Sequence, residues 1–212
     1  MNSRIRLVLN ADAEQQRRLA ALQAMFAKAC NVLAPLVRDT RCWNRVALHH
    51  MAYKALRQQF PHLGSQMVCN VIYSVSRACR DVYQHPASPF NLQRLGDRAL
   101  PLVQFSPQAP VYFDRHTLSI KAGTASLYTL EGRMRFPLEL DAADEQRFHA
   151  GKLREVVLTR ETTGFALTLS LGNDIDADGP AEPAALPRHL TVIPHPATGQ
   201  AGSSHPKPQV SS

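Results

Sequence analysis

The sequence predicts an α+β fold, in which a small antiparallel β-barrel is interrupted after its first strand by an insertion of three helices. Three observations lead to this prediction. Residues 4–10 alternate apolar and polar side chains, as in a half-buried strand, and residues 13–85 repeat apolar side chains every three or four positions, as in amphipathic helices. From about residue 100 the period returns to two. A β-sandwich is the alternative arrangement for short antiparallel strands of this kind.

The inserted segment contains three predicted helices, at about 13–37, 45–59 and 66–84. Asp12 and Gln15 have the spacing of a capping box at the start of the first helix. Pro35 is expected to bend or end that helix, because proline removes a backbone hydrogen bond. Asn44 is a suitable cap for the second helix, and Ser65 is expected to open the third.

Seven further strands are predicted at about 101–106, 111–113, 117–121, 126–130, 134–140, 153–160 and 165–171, separated by turn residues. Residues 141–150 form a polar connection of one or two helical turns. The first strand is expected to join these strands from the far side of the helices.

Three regions follow from this pattern. Residues 1–12 and 98–172 are predicted to form the barrel, and residues 13–97 the helical insertion. Residues 173–212 contain seven of the fifteen prolines and few large apolar residues. They are predicted to be a disordered, Pro-rich tail, because they cannot bury enough apolar surface to offset the entropy of ordering.

Positive charge is concentrated in the first two thirds of the chain. The net charge is +7, and residues 1–135 contain 18 of the 24 Lys and Arg but only 7 of the 17 Asp and Glu. Arg outnumbers Lys by 19 to 5, and the arginine guanidinium is suited to bidentate hydrogen bonds with phosphates or base edges. An anionic partner is therefore expected to bind the basic part.

The N-terminal apolar run is interrupted by Arg6 and Asn10, so it is too short for a signal sequence or a membrane span. A cytoplasmic protein without a membrane partner is expected. The four cysteines lack C-x-x-C spacing, which favours free, buried thiols over disulfides or a zinc ribbon.

No motif of a nucleophilic or phosphate-loop enzyme occurs in the sequence. Asp174, Asp176 and Asp178 resemble the start of a calcium loop, but Ala185 stands where the required carboxylate would be. The neighbours His49 and His50 point in different directions on a helix. The sequence therefore predicts no enzyme activity, no cofactor and no metal site.

The candidate binding residues are basic, amide and aromatic side chains in two groups. Cations neutralise phosphates, whereas amides can read base edges. The helical group is Tyr53, Arg57, Gln66, Asn70, Arg77 and Arg80, and the barrel group is Lys121, Arg133 and Arg135. Arg133 and Arg135 would share one face of a strand and could straddle adjacent phosphates. Gln66 and Asn70 would share a helix face away from the apolar stripe, where they could contact adenine.

Several short motifs occur in an order that resembles a known family over residues 1–172. They are A-C-N at Ala29–Asn31, Y-x-x-L-R at Tyr53–Arg57, F-P-x-L-x-S-Q at Phe60–Gln66, R-A-C-R-D-V-Y at Arg77–Tyr83, F-D-R-H-T-L-S-I at Phe113–Ile120 and S-L-x-T-L-E-G-R at Ser126–Arg133. This order is similar to the N-terminal half of TnpB proteins, the RNA-guided DNA nucleases of insertion sequences, which are related to CRISPR effectors.

The resemblance implies an oligonucleotide-binding-like wedge barrel that carries an inserted recognition domain. In the family these units hold a structured guide RNA and read a short DNA motif. A RuvC-type nuclease follows them in the family, whereas the Pro-rich segment follows Leu171 here. The expectation is a nuclease-lacking protein that binds structured RNA and contacts duplex DNA. The alternatives are an accessory subunit of a separately encoded nuclease or transposition complex, and a decayed transposon remnant.

Overall fold

The computed structural model describes residues 3–138, 142–172 and 186–194. Its helices are α1 (Ala13–Thr40), α2 (Arg45–Gln59), α3 (Ser65–Gln84), α4 (Leu92–Leu95) and α5 (Ala142–Ala150). Its strands are β1 (Ser3–Leu9), β2 (Leu102–Phe105), β3 (Val111–Phe113), β4 (Leu118–Lys121), β5 (Thr124–Thr129), β6 (Gly132–Pro137), β7 (Leu153–Glu161), β8 (Gly164–Leu171) and β9 (Leu190–Ile193). The predicted α+β class, with three long helices after the first strand, is confirmed.

Local sequence signals account for how the helices begin. The side chain of Asp12 accepts a hydrogen bond from the Gln15 N–H at 2.8 Å, and the Gln15 side chain accepts one from the Asp12 N–H at 3.1 Å. Asn44 caps α2 through bonds from two backbone N–H groups. Ser65 is the first residue of α3 rather than its cap, which is Gly64. Pro35 lies within α1 and does not end it, because buried residues on both sides of the proline anchor the helix in the core.

The described strands form three antiparallel sheets. One has the order β1-β8-β7-β3, the second pairs β2 with β9, and the third has the order β4-β5-β6. As predicted, the first strand joins the later strands: Leu7 of β1 pairs with Leu167 of β8. A closed barrel is not found among the described strands, since β1 and β3 remain edges of the four-stranded sheet.

One apolar core joins the helices to the sheets. Leu7 of β1, Leu22 and Phe26 of α1, Val71 of α3 and Leu167 of β8 are all buried in it. By length and composition alone α1 could cross a membrane, but half of its most apolar stretch is buried inside this fold. Burial of that stretch is the normal arrangement of a core helix in a globular protein.

Part of the predicted disordered tail is ordered, which corrects that prediction for residues 186–194. Strand β9 pairs with all four residues of β2, and Leu190 is buried opposite Phe105. Asn31 binds the backbone of Phe105 in β2: its amide donates to the Phe105 carbonyl at 2.9 Å and accepts from the Phe105 N–H at 2.7 Å. Apolar alternation in Leu190 and Val192 is the signal for this strand. The rest of the tail and its aspartate motif lie outside the described residues.

Candidate nucleic-acid interface

The described strand residues on the exposed face of the β4-β5-β6 sheet include three cations and no acidic side chain. Alternate residues of its three strands point away from the core. We call this surface the basic sheet face, formed by Ser119, Lys121, Thr124, Ser126, Tyr128, Arg133 and Arg135. In the register, Ser119 lies opposite Ser126, which lies opposite Arg135 on the other side. The surface therefore offers cations and hydroxyl groups side by side.

Arg133 is held in place by its neighbours across the sheet. Its guanidinium donates to the Ser126 hydroxyl at 2.9 Å and the Ser126 carbonyl at 2.8 Å, and also to the His116 carbonyl at 3.2 Å. None of these acceptors is a carboxylate, so the positive charge of Arg133 is fixed in position but not neutralised. Such preorganisation lowers the entropy lost when an anion binds.

Arg135 and Lys121 extend the charge of Arg133 along and across the sheet. Both side chains are exposed, and neither forms an ion pair with a described residue. Arg133 and Arg135 share one face of β6, as predicted, and their Cα atoms are roughly 6.8 Å apart at the usual rise of an extended strand. This arrangement can place two cations beside successive phosphates of one strand.

The loop between α2 and α3 lies against one end of this sheet. The Tyr128 hydroxyl accepts a hydrogen bond from the Gly64 N–H at 2.9 Å and donates one to the His62 carbonyl at 2.7 Å. A Cβ atom at Gly64 would lie 3.3 Å from the Tyr128 ring. Arg57 donates to the Leu63 carbonyl in the same loop. The predicted helical residue Arg57 is thus brought to the end of the basic sheet face.

Gln66 and Asn70 do not form the predicted base-reading pair. Gln66 donates a hydrogen bond to the Asp114 carboxylate, which also accepts from backbone N–H groups of its own turn. Asn70 is only 5% exposed, and its amide faces the Thr117 hydroxyl at 3.5 Å. The predicted solvent-facing position of Asn70 is wrong, because α3 is buried over a wider arc than its apolar stripe indicates.

Arg77 is engaged in an internal ion pair. It binds the carboxylate of Glu155 on β7, and the Tyr73 hydroxyl contacts the same carboxylate at 3.3 Å. Burial disfavours the charged guanidinium, but Glu155 and the nearby tyrosines Tyr73 and Tyr112 more than compensate, so the pKa of Arg77 is raised. Arg77 therefore joins α3 to the four-stranded sheet, and its charge is already neutralised.

The remaining helical candidates, Tyr53 and Arg80, do not contact the basic sheet face. Tyr53 stacks on His49 with ring centroids 4.6 Å apart, so one side of its ring is covered. Arg80 is exposed on α3 and forms no ion pair with a described residue. Within the helical group, Arg57 is linked to the sheet through the α2–α3 loop, whereas Gln66 and Asn70 contact the turn before β4.

Two further residues at this site were not identified from the sequence. Tyr128 links the α2–α3 loop to the sheet. Its alternation with Ser126 along β5 could have identified it as a residue of the exposed face. Arg115, just before β4, donates to the carbonyls of Phe148 at 3.2 Å and Gly151 at 3.0 Å, while its guanidinium lies over the Phe148 ring. Nothing in the local sequence indicates these long-range partners.

The described residues contain no group of three or more His, Cys, Asp or Glu side chains that could hold a metal ion. All four cysteines are free. Burial raises the pKa of the thiols of Cys30 and Cys79, which keeps them protonated, whereas Cys42 and Cys69 are only partly buried.

No model of a known protein family matches this chain, and no curated protein matches it.

Proposed function

We propose that this chain binds nucleic acid through the basic sheet face, and that its main ligand is a structured, guide-type RNA. The observation that carries the proposal is a three-stranded sheet surface with Lys121, Arg133 and Arg135, on which no described strand residue is acidic. Cations on a sheet, of which Arg133 is held in place, are suited to the phosphates of a folded RNA, because recognition of RNA shape depends on backbone contacts.

The resemblance to the N-terminal half of TnpB proteins supports the same proposal. In that interpretation the strands correspond to a wedge domain, and α1 to α3 correspond to the recognition insertion. The proposed role is binding rather than catalysis. Contacts to a short DNA motif would depend on Arg57 and Arg80, since Asn70 is buried.

The experiment compares binding to RNA for the wild-type chain and a variant that carries both Arg133→Gln and Arg135→Gln. Folded RNA recovered from the purified protein and sequenced would serve as the probe. Losing two phosphate contacts should weaken binding about tenfold or more at moderate salt and reduce the slope of log affinity against log salt by about 1.4 to 1.8. Fluorescence anisotropy over a salt series measures both quantities.

Arg147→Gln is the matched control, because Arg147 is equally exposed but pairs with Asp144 at 3.0 Å. It should change RNA affinity little. Wild-type protein that carries no nucleic acid and binds none at low salt would refute the proposed function. If the control lost half as much log affinity as the double variant, or more, net charge alone would matter, and the sheet face would not be the site.

A further inference from the structure

We propose that three arginines at the C-terminal end of α1 form a second phosphate-binding site, which contacts the same nucleic acid far from the basic sheet face. We call it the arginine corner, formed by Arg41, Arg94 and Arg98. This proposal rests on the proposed function, because the ligand is the nucleic acid that binds the sheet. The new element is the length of the ligand, because two separated sites require a nucleic acid long enough to reach both.

Backbone carbonyls hold each of the three guanidinium groups in place. Arg41 ends α1 in the left-handed conformation, with φ of 51°, and donates to the Arg98 carbonyl at 2.6 Å. Arg98 donates to the Arg94 carbonyl at 2.6 Å and to the Leu95 carbonyl at 3.0 Å. Arg94 in turn reaches the Ser88 carbonyl at 3.3 Å. Each guanidinium has five N–H donors, so several remain for a ligand.

The charge of the arginine corner is not neutralised within the described part of the chain. None of its three side chains forms an ion pair there, and all three residues are exposed. Arg38, at the same end of α1, differs in this respect, since it binds Asp39 at 2.7 Å. Asp97 lies between Arg94 and Arg98 in the sequence, but three arginines against one carboxylate still produce a positive potential that favours a polyanion over a single carboxylate.

Helix α2 connects the arginine corner to the basic sheet face. It begins at Arg45, just after the corner, and ends at the loop that Tyr128 binds. The helix contains no acidic residue, and Lys54 and Arg57 follow Arg45 along it. The helix between the two sites therefore carries cations and no carboxylate, which favours one long polyanion as the ligand over a short acidic peptide.

The length of α1 gives the distance between the arginine corner and Arg135 of the basic sheet face. Gln15, near the start of α1, contacts the carbonyl of Arg135 at 3.4 Å, whereas Arg41 ends the helix. With 28 residues, α1 is roughly 42 Å long. A B-form duplex rises about 3.4 Å per base pair and an A-form RNA stem rises less, so at least about 12 base pairs are needed to reach from the arginine corner to Arg135.

The test measures binding to RNA hairpins with stems of about 8 and about 24 base pairs, of which the shorter spans at most roughly 27 Å. The variant carries Arg41→Asn and Arg98→Gln: asparagine tolerates the left-handed conformation, and glutamine can still donate to the carbonyls. Wild-type protein should bind the long stem at least tenfold more tightly than the short one. The variant should lose most of that difference while its affinity for the short stem stays unchanged.

Arg38→Gln removes one positive charge at the same helix end and is the control, which should keep the difference between stems. Equal effects of the control and the corner variant would overturn the proposal, and so would equal binding of both stems by the wild type. The proposal would also be overturned if the arginine corner bound an acidic peptide while the corner variant kept the wild-type affinity for the long stem. Wild-type protein that binds neither stem would instead refute the proposed function itself. If only the Arg133 and Arg135 variant fails to bind both stems, the proposed function stands.

Discussion

The hydroxyl of Tyr128, on the exposed side of β5, donates a hydrogen bond to the carbonyl of His62 at 2.7 Å, across 66 residues of sequence. The same hydroxyl accepts from the Gly64 N–H. One phenol oxygen therefore satisfies two backbone groups of the loop that ends α2 and starts α3. Through it, the helical segment has a fixed position relative to the basic sheet face.

Tyr128→Phe should lower the free energy of unfolding by about 1 kcal/mol, because it removes these two bonds and keeps the ring against Gly64. The melting temperature should fall by about 2–4 °C for a chain of this size. Tyr53→Phe is the control, since no described residue hydrogen-bonds to its hydroxyl. The same melting temperature for the two variants would show that water replaces the Tyr128 bonds at no cost.

Arg77→Met should destabilise the fold without a large effect on nucleic-acid binding. It leaves the Glu155 carboxylate, of which 14% is exposed, without its ion-pair partner. We expect a loss of about 2 kcal/mol, less than for a fully buried pair because a third of the Arg77 side chain is exposed.

A variant with Arg77→Met and Glu155→Gln together should recover part of that stability in urea unfolding, because no uncompensated charge remains. Additive losses in the two single variants would argue against coupling between these residues. An RNA affinity that falls as far as in the Arg133 and Arg135 variant would show that Arg77 contacts the ligand despite its internal partner.

Leu190→Ala should destabilise the whole domain, although it lies in a segment that the sequence predicts to be disordered. Leu190 is 7% exposed and contacts the common core. Removing its buried side chain should lower the free energy of unfolding by about 2–3 kcal/mol. Thr191→Ala, one residue along and exposed, is the control. Thermal unfolding that is unchanged by Leu190→Ala would mean that β9 does not contribute to stability.

The docking of β9 should weaken in acid because of His189. Burial lowers the pKa of this imidazole below its ordinary value of 6.5, so the folded state disfavours its protonated form. The unfolded chain then binds more protons just below that value, and stability is lost as the pH falls from about 6.5. His189→Gln should therefore show a smaller loss of melting temperature between pH 7.5 and pH 5 than the wild type. Equal losses in both proteins would contradict this assignment.

The sequence alone determined the elements that depend on local chemistry. Capping residues such as Asp12 and Asn44 mark helix starts, and the change of apolar period near residue 100 marks the strands, because hydrogen bonds at helix ends and side-chain alternation are properties of neighbouring residues. Alternation also placed Arg133 and Arg135 on one exposed face of β6.

Only the tertiary structure decided which polar residues remain available to a ligand. The sequence pattern predicts Asn70 and Arg77 to be surface residues of an amphipathic helix. Because α3 packs against both α1 and β3, Asn70 is buried and Arg77 forms an ion pair with Glu155. The strand β9 and the arginine corner likewise depend on partners far away in sequence. Long-range pairing decides whether a charge is neutralised, and neither composition nor periodicity contains that information.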